Sequence, residues 1–226
     1  CIDSAVGVVP GAQAAFHALG GRGLKDVASG LNYGTHLNHE QIAVFGHVVR
    51  DSESGSELPC EQWALVRQDE AGLHLLRPLL LESDERLRVD SLLAIQWPHD
   101  RPYRLATVCG LQVRKDGRTA LIARWLAGDA HPLLAEVREK TSGLLSRHPA
   151  FGLSAVPLPD EDASEYAADD NKLEHLDSVI LPAGLSARST SIKFYSAGRE
   201  KALALRLHEL VARGSENERW SLLAGQ

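Results

Sequence analysis

Between Cys60 and Val137 the chain divides into short runs, apolar or alternating, each closed by Asp, Gly or Pro. The runs are Trp63–Arg67, Leu73–Leu76, Ser91–Trp97, Tyr103–Val113 and Thr119–Trp125. Short runs bounded in this way, with turn signals every ~8–12 residues, are the mark of a small antiparallel barrel or sandwich. Lys115-Asp-Gly-Arg118 is the sharpest turn, because Asp-Gly accepts the positive φ of a tight hairpin. Pro78, Pro98, Pro102 and Pro132 are expected in connections, where no ladder donor is needed.

The flanks are organised differently. Residues 1–57 read as a helical N-terminal segment with linkers, and Gly11–Leu19 gives a short helix stopped by Gly20. Asn38-His-Glu-Gln41 forms a capping box ahead of the apolar face of Ile42, Phe45, Val48 and Val49. After the barrel, residues 141–175 read as a connection, and six acids within residues 160–170 make part of it a solvated loop. Residues 176–226 return to β-patterning as a second module, with strands expected at Ser178–Gly184, Ser191–Tyr195, Leu203–Leu207 and Arg219–Leu223, and a short helix from His208 to Gly214. The predicted fold is therefore mainly β with minor α: a barrel over 58–140, a helical N-terminal segment and a second β-rich C-terminal module.

A net charge of -6 argues against a broad nucleic-acid surface. No apolar run approaches the ~20 residues that a helix needs to cross a bilayer. The three cysteines, Cys1, Cys60 and Cys109, have neither disulfide-framework nor metal spacing, which points to reduced thiols and a cytoplasmic location. The chain starts with Cys and has no Met, so it is read as a fragment or processed piece. Cys1 keeps open a reading as an N-terminal nucleophile of a hydrolase, with its own amine as base.

The segment Trp63-Ala-Leu-Val-Arg-Gln-Asp-Glu-Ala-Gly72-Leu-His-Leu is similar to the Trp-x-Val-x-Asp-x-Ser-x-x-Gly-Leu run of the PilZ domain family. Leu87-Arg-Val-Asp-Ser-Leu-Leu-Ala94 and Ile122-Ala-Arg-Trp-Leu126 resemble that family's following strands. The resemblance covers about a third of the chain. It implies a six-stranded antiparallel barrel and a role in bacterial cyclic di-GMP signalling. Family receptors bind the nucleotide with an Arg-x-x-x-Arg run and an (Asp/Asn)-x-Ser-x-x-Gly strand, because a planar cation grips a phosphate or stacks on guanine. Here Arg50 has no arginine four residues away, and Arg67-Gln-Asp-Glu-Ala-Gly72 keeps only Gly72, with Asp69 where the serine belongs. A barrel would bring Arg50, Arg67 and Arg124 to one end.

The ligand-binding candidates are thus Arg50, Arg67, Asp69, Gly72 and Arg124, with cyclic di-GMP as the possible ligand and no cofactor. The expected function is a non-enzymatic PilZ-like signalling or adaptor module that acts on a protein partner or an attached domain. A genuine cyclic di-GMP receptor is the alternative. Neither a catalytic set nor a metal set emerges. In His36-Leu-Asn-His39, with His47 eight residues on, His36 and His39 would converge only on a helix, and Asn38 would begin that helix rather than lie inside it.

Overall fold

The computed structural model describes residues 4–22, 60–70, 72–79, 86–98, 102–154, 176–196 and 201–224. Arg50, Cys1, His36, His39, His47, the Asn38 capping box and the acidic run at 160–170 lie outside the described residues. The chain is mainly β, as expected. Six strands close a barrel: β1 (Ser4–Pro10), β2 (Glu61–Asp69), β3 (Gly72–Arg77), β4 (Leu92–Gln96), β5 (Arg104–Val113) and β6 (Thr119–Trp125). Their order around the barrel is β1-β2-β3-β6-β5-β4, every pairing is antiparallel, and β4 returns to β1 to close it. The inner layer is apolar, with Val6, Trp63, Leu73, Ile95, Val108 and Leu121 packed across the middle.

Five of the six strands fall on the runs the sequence marks, and the sixth does not. β1 comes from the segment expected to be helical or linker, so the barrel does not begin at residue 58. Val6 and Val8 face the barrel interior while Val9 faces outward into a second core. A strand buried on both faces carries no alternation, so Ser4-Ala-Val-Gly-Val-Val-Pro10 gives no period-two signal. The helix that follows, α1 (Ala12–Ala18), is where the sequence puts it.

The far boundary moves too. β7 (Asp129–Glu139), expected within the barrel, belongs to a second sheet with β8 (Leu145–Ser154), β9 (Ser178–Pro182), β10 (Ser189–Ser196), β11 (Ala202–Leu203), β12 (Leu205–Arg213) and β13 (Asn217–Ala224). β8 occupies part of the expected 141–175 connection, and Pro132 and Pro149 both lie inside strands. Each proline stands where its strand has a partner on one flank only. Pairing of β10 with β7 stops at Leu133, and pairing of β9 with β8 starts at Phe151. A missing N–H there breaks no ladder. The helix expected at His208–Gly214 is also replaced by strand, since β12 runs to Arg213 against β13. Two register shifts in β12, between Leu207 and Leu210 and between Leu210 and Ala212, disrupt the alternation and give the helical look.

The sheet order is β11-β10-β7-β8-β9-β13-β12. β11 and β12 sit at opposite ends of that order, yet only Ala204 separates them in the chain. Two edges joined by one residue can be no more than a few ångströms apart, so the sheet curls until its ends meet. A short helix, α2 (Leu185–Arg188), joins β9 to β10. Outward residues of the barrel (Val9, Leu92, Leu105) pack with Phe16 of α1 and with Leu134, Phe151 and Ile180 of the second sheet in one shared core.

Candidate functional site

The β2–β3 hairpin carries three of the sequence candidates. Its register pairs Arg67 with His74 and Asp69 with Gly72, after a bulge between Leu65 and Arg67. The bulge turns Arg67 and Asp69 to the outer face. There Arg67 Nε lies 3.0 Å from an Asp69 oxygen, and His74 Nε2 lies 3.0 Å from the same oxygen. Asp69 therefore sits between an arginine and an imidazole. Arg67 is 65% exposed and Asp69 35%, so water screens the pair and it adds little stability.

Gly72 is required by geometry rather than by a ligand. Its φ is +135°, and a β-carbon there would lie 2.3 Å from the Ala123 carbonyl oxygen and 3.4 Å from the Arg124 α-carbon. The hairpin can lie this close on β6 only without a side chain. Since Leu73 pairs with Ala123, Gly72 falls level with Arg124, which pairs with Thr107 on the other side. Asp69, Gly72 and Arg124 thus form one row across three strands, with the β6 backbone closing in on the glycine between carboxylate and guanidinium. Among the described residues Arg124 is exposed and has no ion pair. The structure brings Arg67, Asp69, Gly72 and Arg124 to one region of the wall.

Sequence reasoning missed three neighbours of this region. His74 is one, and its signal was the period-two step from Gly72 to a strand position opposite Arg67. The second is Arg104, whose guanidinium stacks 4.6 Å over the Trp125 ring. The third is an open groove of about 400 Å³ beside the row, with Val66, His74, Leu76, Gly110, Ile122 and Arg114 among its lining residues.

Inside the barrel a different cluster is locked. Glu61 accepts from Arg77 Nε at 2.8 Å and Nη2 at 2.7 Å, and from Trp63 Nε1 at 2.7 Å. Arg77 also lies 5.6 Å from the centre of the Trp63 ring. Both charged groups are buried, so the fork satisfies charges that would otherwise be costly. The cluster is structural. Elsewhere Tyr103, partly buried, donates to the Cys60 thiol at 3.7 Å, and burial together with that thiol pushes the phenol up to about 12. Among the described residues no group of three His, Cys, Asp or Glu could hold a metal, and no helix is long and apolar enough to cross a membrane.

Chemically, the outer row offers one unpaired cation, one carboxylate already engaged by two donors, and apolar relief beside them. Such a surface suits recognition. Comparison with models of known families, with curated proteins and with solved structures finds no match to the chain.

Proposed function

We propose that the chain is a non-enzymatic signalling or adaptor module of PilZ-like type, working through protein contacts in the bacterial cytoplasm and lacking the family's cyclic di-GMP site. One observation carries this reading. Asp69, standing where the resemblance puts a serine, is 3.0 Å from both Arg67 and His74. An arginine meant for a phosphate is then held by a carboxylate of its own strand, and a dinucleotide bearing two negative charges would meet that carboxylate first. The closed six-stranded barrel agrees with the same reading.

Isothermal titration with cyclic di-GMP tests it. No heat is expected at high micromolar protein, and Asp69→Ser is expected to bind more tightly than the natural chain. Low-micromolar binding by the natural chain would establish the receptor alternative and remove this proposal.

A further inference from the structure

The second sheet curls but does not close. β10 pairs with β7 along Ser189–Ser196, and on its other side meets β11 only at Phe194 and Tyr195. β12 pairs with β13 on one side. Among the described residues, neither the outer edge of β10 over 189–193 nor the outer edge of β12 has a strand partner. Since β11 runs into β12 after one residue, the two free edges diverge from a common point and leave a slot of about 310 Å³.

Both edges line this slot, Ser191, Ile192 and Phe194 from one side and Leu205, Arg206 and Leu207 from the other. Ile192, Leu205 and Leu207 belong to the inner core of the sheet but are only partly buried. The seam therefore exposes two things at once: backbone groups without a ladder partner and apolar side chains without full cover. Water can satisfy the first but not the second. An extended segment laid along the edge would satisfy both, its backbone completing the ladder and its alternate side chains covering the apolar row.

Charge narrows the occupant. Arg188, Lys193 and Arg206 are exposed around the slot, and none has an ion pair among the described residues. Glu209 is the only acid on β12. We propose that the slot between β10 and β12 receives an extended acidic segment of a partner protein, with carboxylates alternating with apolar residues, which adds as a strand to the free edge of β10. The inference rests on the adaptor reading only in taking a protein as partner, because the slot lies on the second sheet and away from the Asp69 row.

The probe is an acetylated seven-residue peptide of alternating glutamate and valine, added to the full chain and followed by amide hydrogen exchange. Exchange at residues 189–193 and 205–207 is expected to slow at least tenfold. The same peptide with alternate backbone amides methylated, and a lysine-for-glutamate version, should give no protection. Lys193→Glu with Arg206→Glu should weaken binding by about tenfold, the order expected when rim attractions become repulsions. Equal binding by the methylated peptide, protection elsewhere, or none at millimolar peptide would overturn the proposal. Protection that appears without peptide as protein concentration rises would do the same, by assigning the slot to a second copy of the chain. A cyclic di-GMP titration reads the barrel separately, so nucleotide binding with peptide protection would remove the barrel reading and leave this one standing.

Discussion

At the scale of single residues, two glycines separate the cost of conformation from the cost of space. Gly117 has φ +81° in the β5–β6 turn, and the nearest atom to an added β-carbon is Leu79 Cδ2 at 3.5 Å. Gly117→Ala should therefore pay only for the left-handed backbone, about 1–2 kcal/mol. Gly72→Ala pays for its positive φ and for the Ala123 carbonyl 2.3 Å away, so about 2–4 kcal/mol is expected. Urea midpoints of the two variants check the ranking, and equal losses would contradict it. The Glu61–Arg77 fork gives a sharper test. Arg77→Met leaves a carboxylate buried without its cation and should cost on the order of 3–5 kcal/mol, while Glu61→Gln with Arg77→Met should cost less than the single change. Neither residue stood out in the sequence, because a charged pair sixteen residues apart on alternating strands looks like two ordinary surface positions. Arg67, Asp69 and Gly72 were legible because they share one hairpin. The nearness of Arg124 to them depends on barrel register, which a linear pattern does not contain.

At the scale of elements, several turns between strands are fixed by polar contacts. The β5–β6 turn closes with Gly117 N–H donating to the Arg114 carbonyl at 3.0 Å, and Arg114 N–H donating to the Arg118 carbonyl at 2.8 Å. Hydrogen bonds from Arg118 hold the Asp116 carboxyl below its usual range. That hairpin was readable because its chemistry is local. Long-range turns were not. Asp90, ahead of β4, has φ +75°, and is held there by the β12–β13 turn: Asn217 donates to its carbonyl at 2.9 Å and Ser215 N–H to its carboxylate at 3.3 Å. On β13 the buried Glu218 accepts from Ser186 Oγ at 2.6 Å and from the Ser186 and Gly184 N–H groups at 3.1 and 3.2 Å. Burial pushes this carboxyl up, but the Ser186 and Gly184 donors outweigh it and hold it below its ordinary 4.5. A depressed carboxyl contributes stability that is full above the unfolded value and is lost as pH falls through the lower folded value. Acid titration of the unfolding midpoint should therefore show a loss beginning below about pH 4.5 that Glu218→Gln flattens, with that variant also about 1–3 kcal/mol less stable at pH 7. An unchanged acid limb in Glu218→Gln would place the loss on other carboxyls.

At the scale of the molecule, the question is whether the barrel and the curled sheet unfold separately. The sequence suggested two modules, and the strands divide into two sheets. The packing ties them together. Phe16 is fully buried on α1, contacts Phe151 edge-to-face with centroids 6.4 Å apart, and shares one core with Val9 and Leu92 of the barrel and with Leu134 and Ile180 of the second sheet. Ser91 of the barrel donates to Glu216 of the β12–β13 turn at 2.8 Å, which adds a polar tie to the apolar one. Opening this junction would expose the outer face of β1, β4 and β5 together with one face of β7, β8 and β9, surfaces whose exposure neither sheet can offset alone. Calorimetry should therefore give one endotherm, with calorimetric and van't Hoff enthalpies equal. Phe16→Ala should cost about 3–5 kcal/mol and weaken the junction for both sheets. If it lowers the whole transition as a unit, the shared core is what couples the two sheets. If instead it leaves one sheet melting at the original temperature while the other falls, the sheets are independent units and α1 belongs to only one of them.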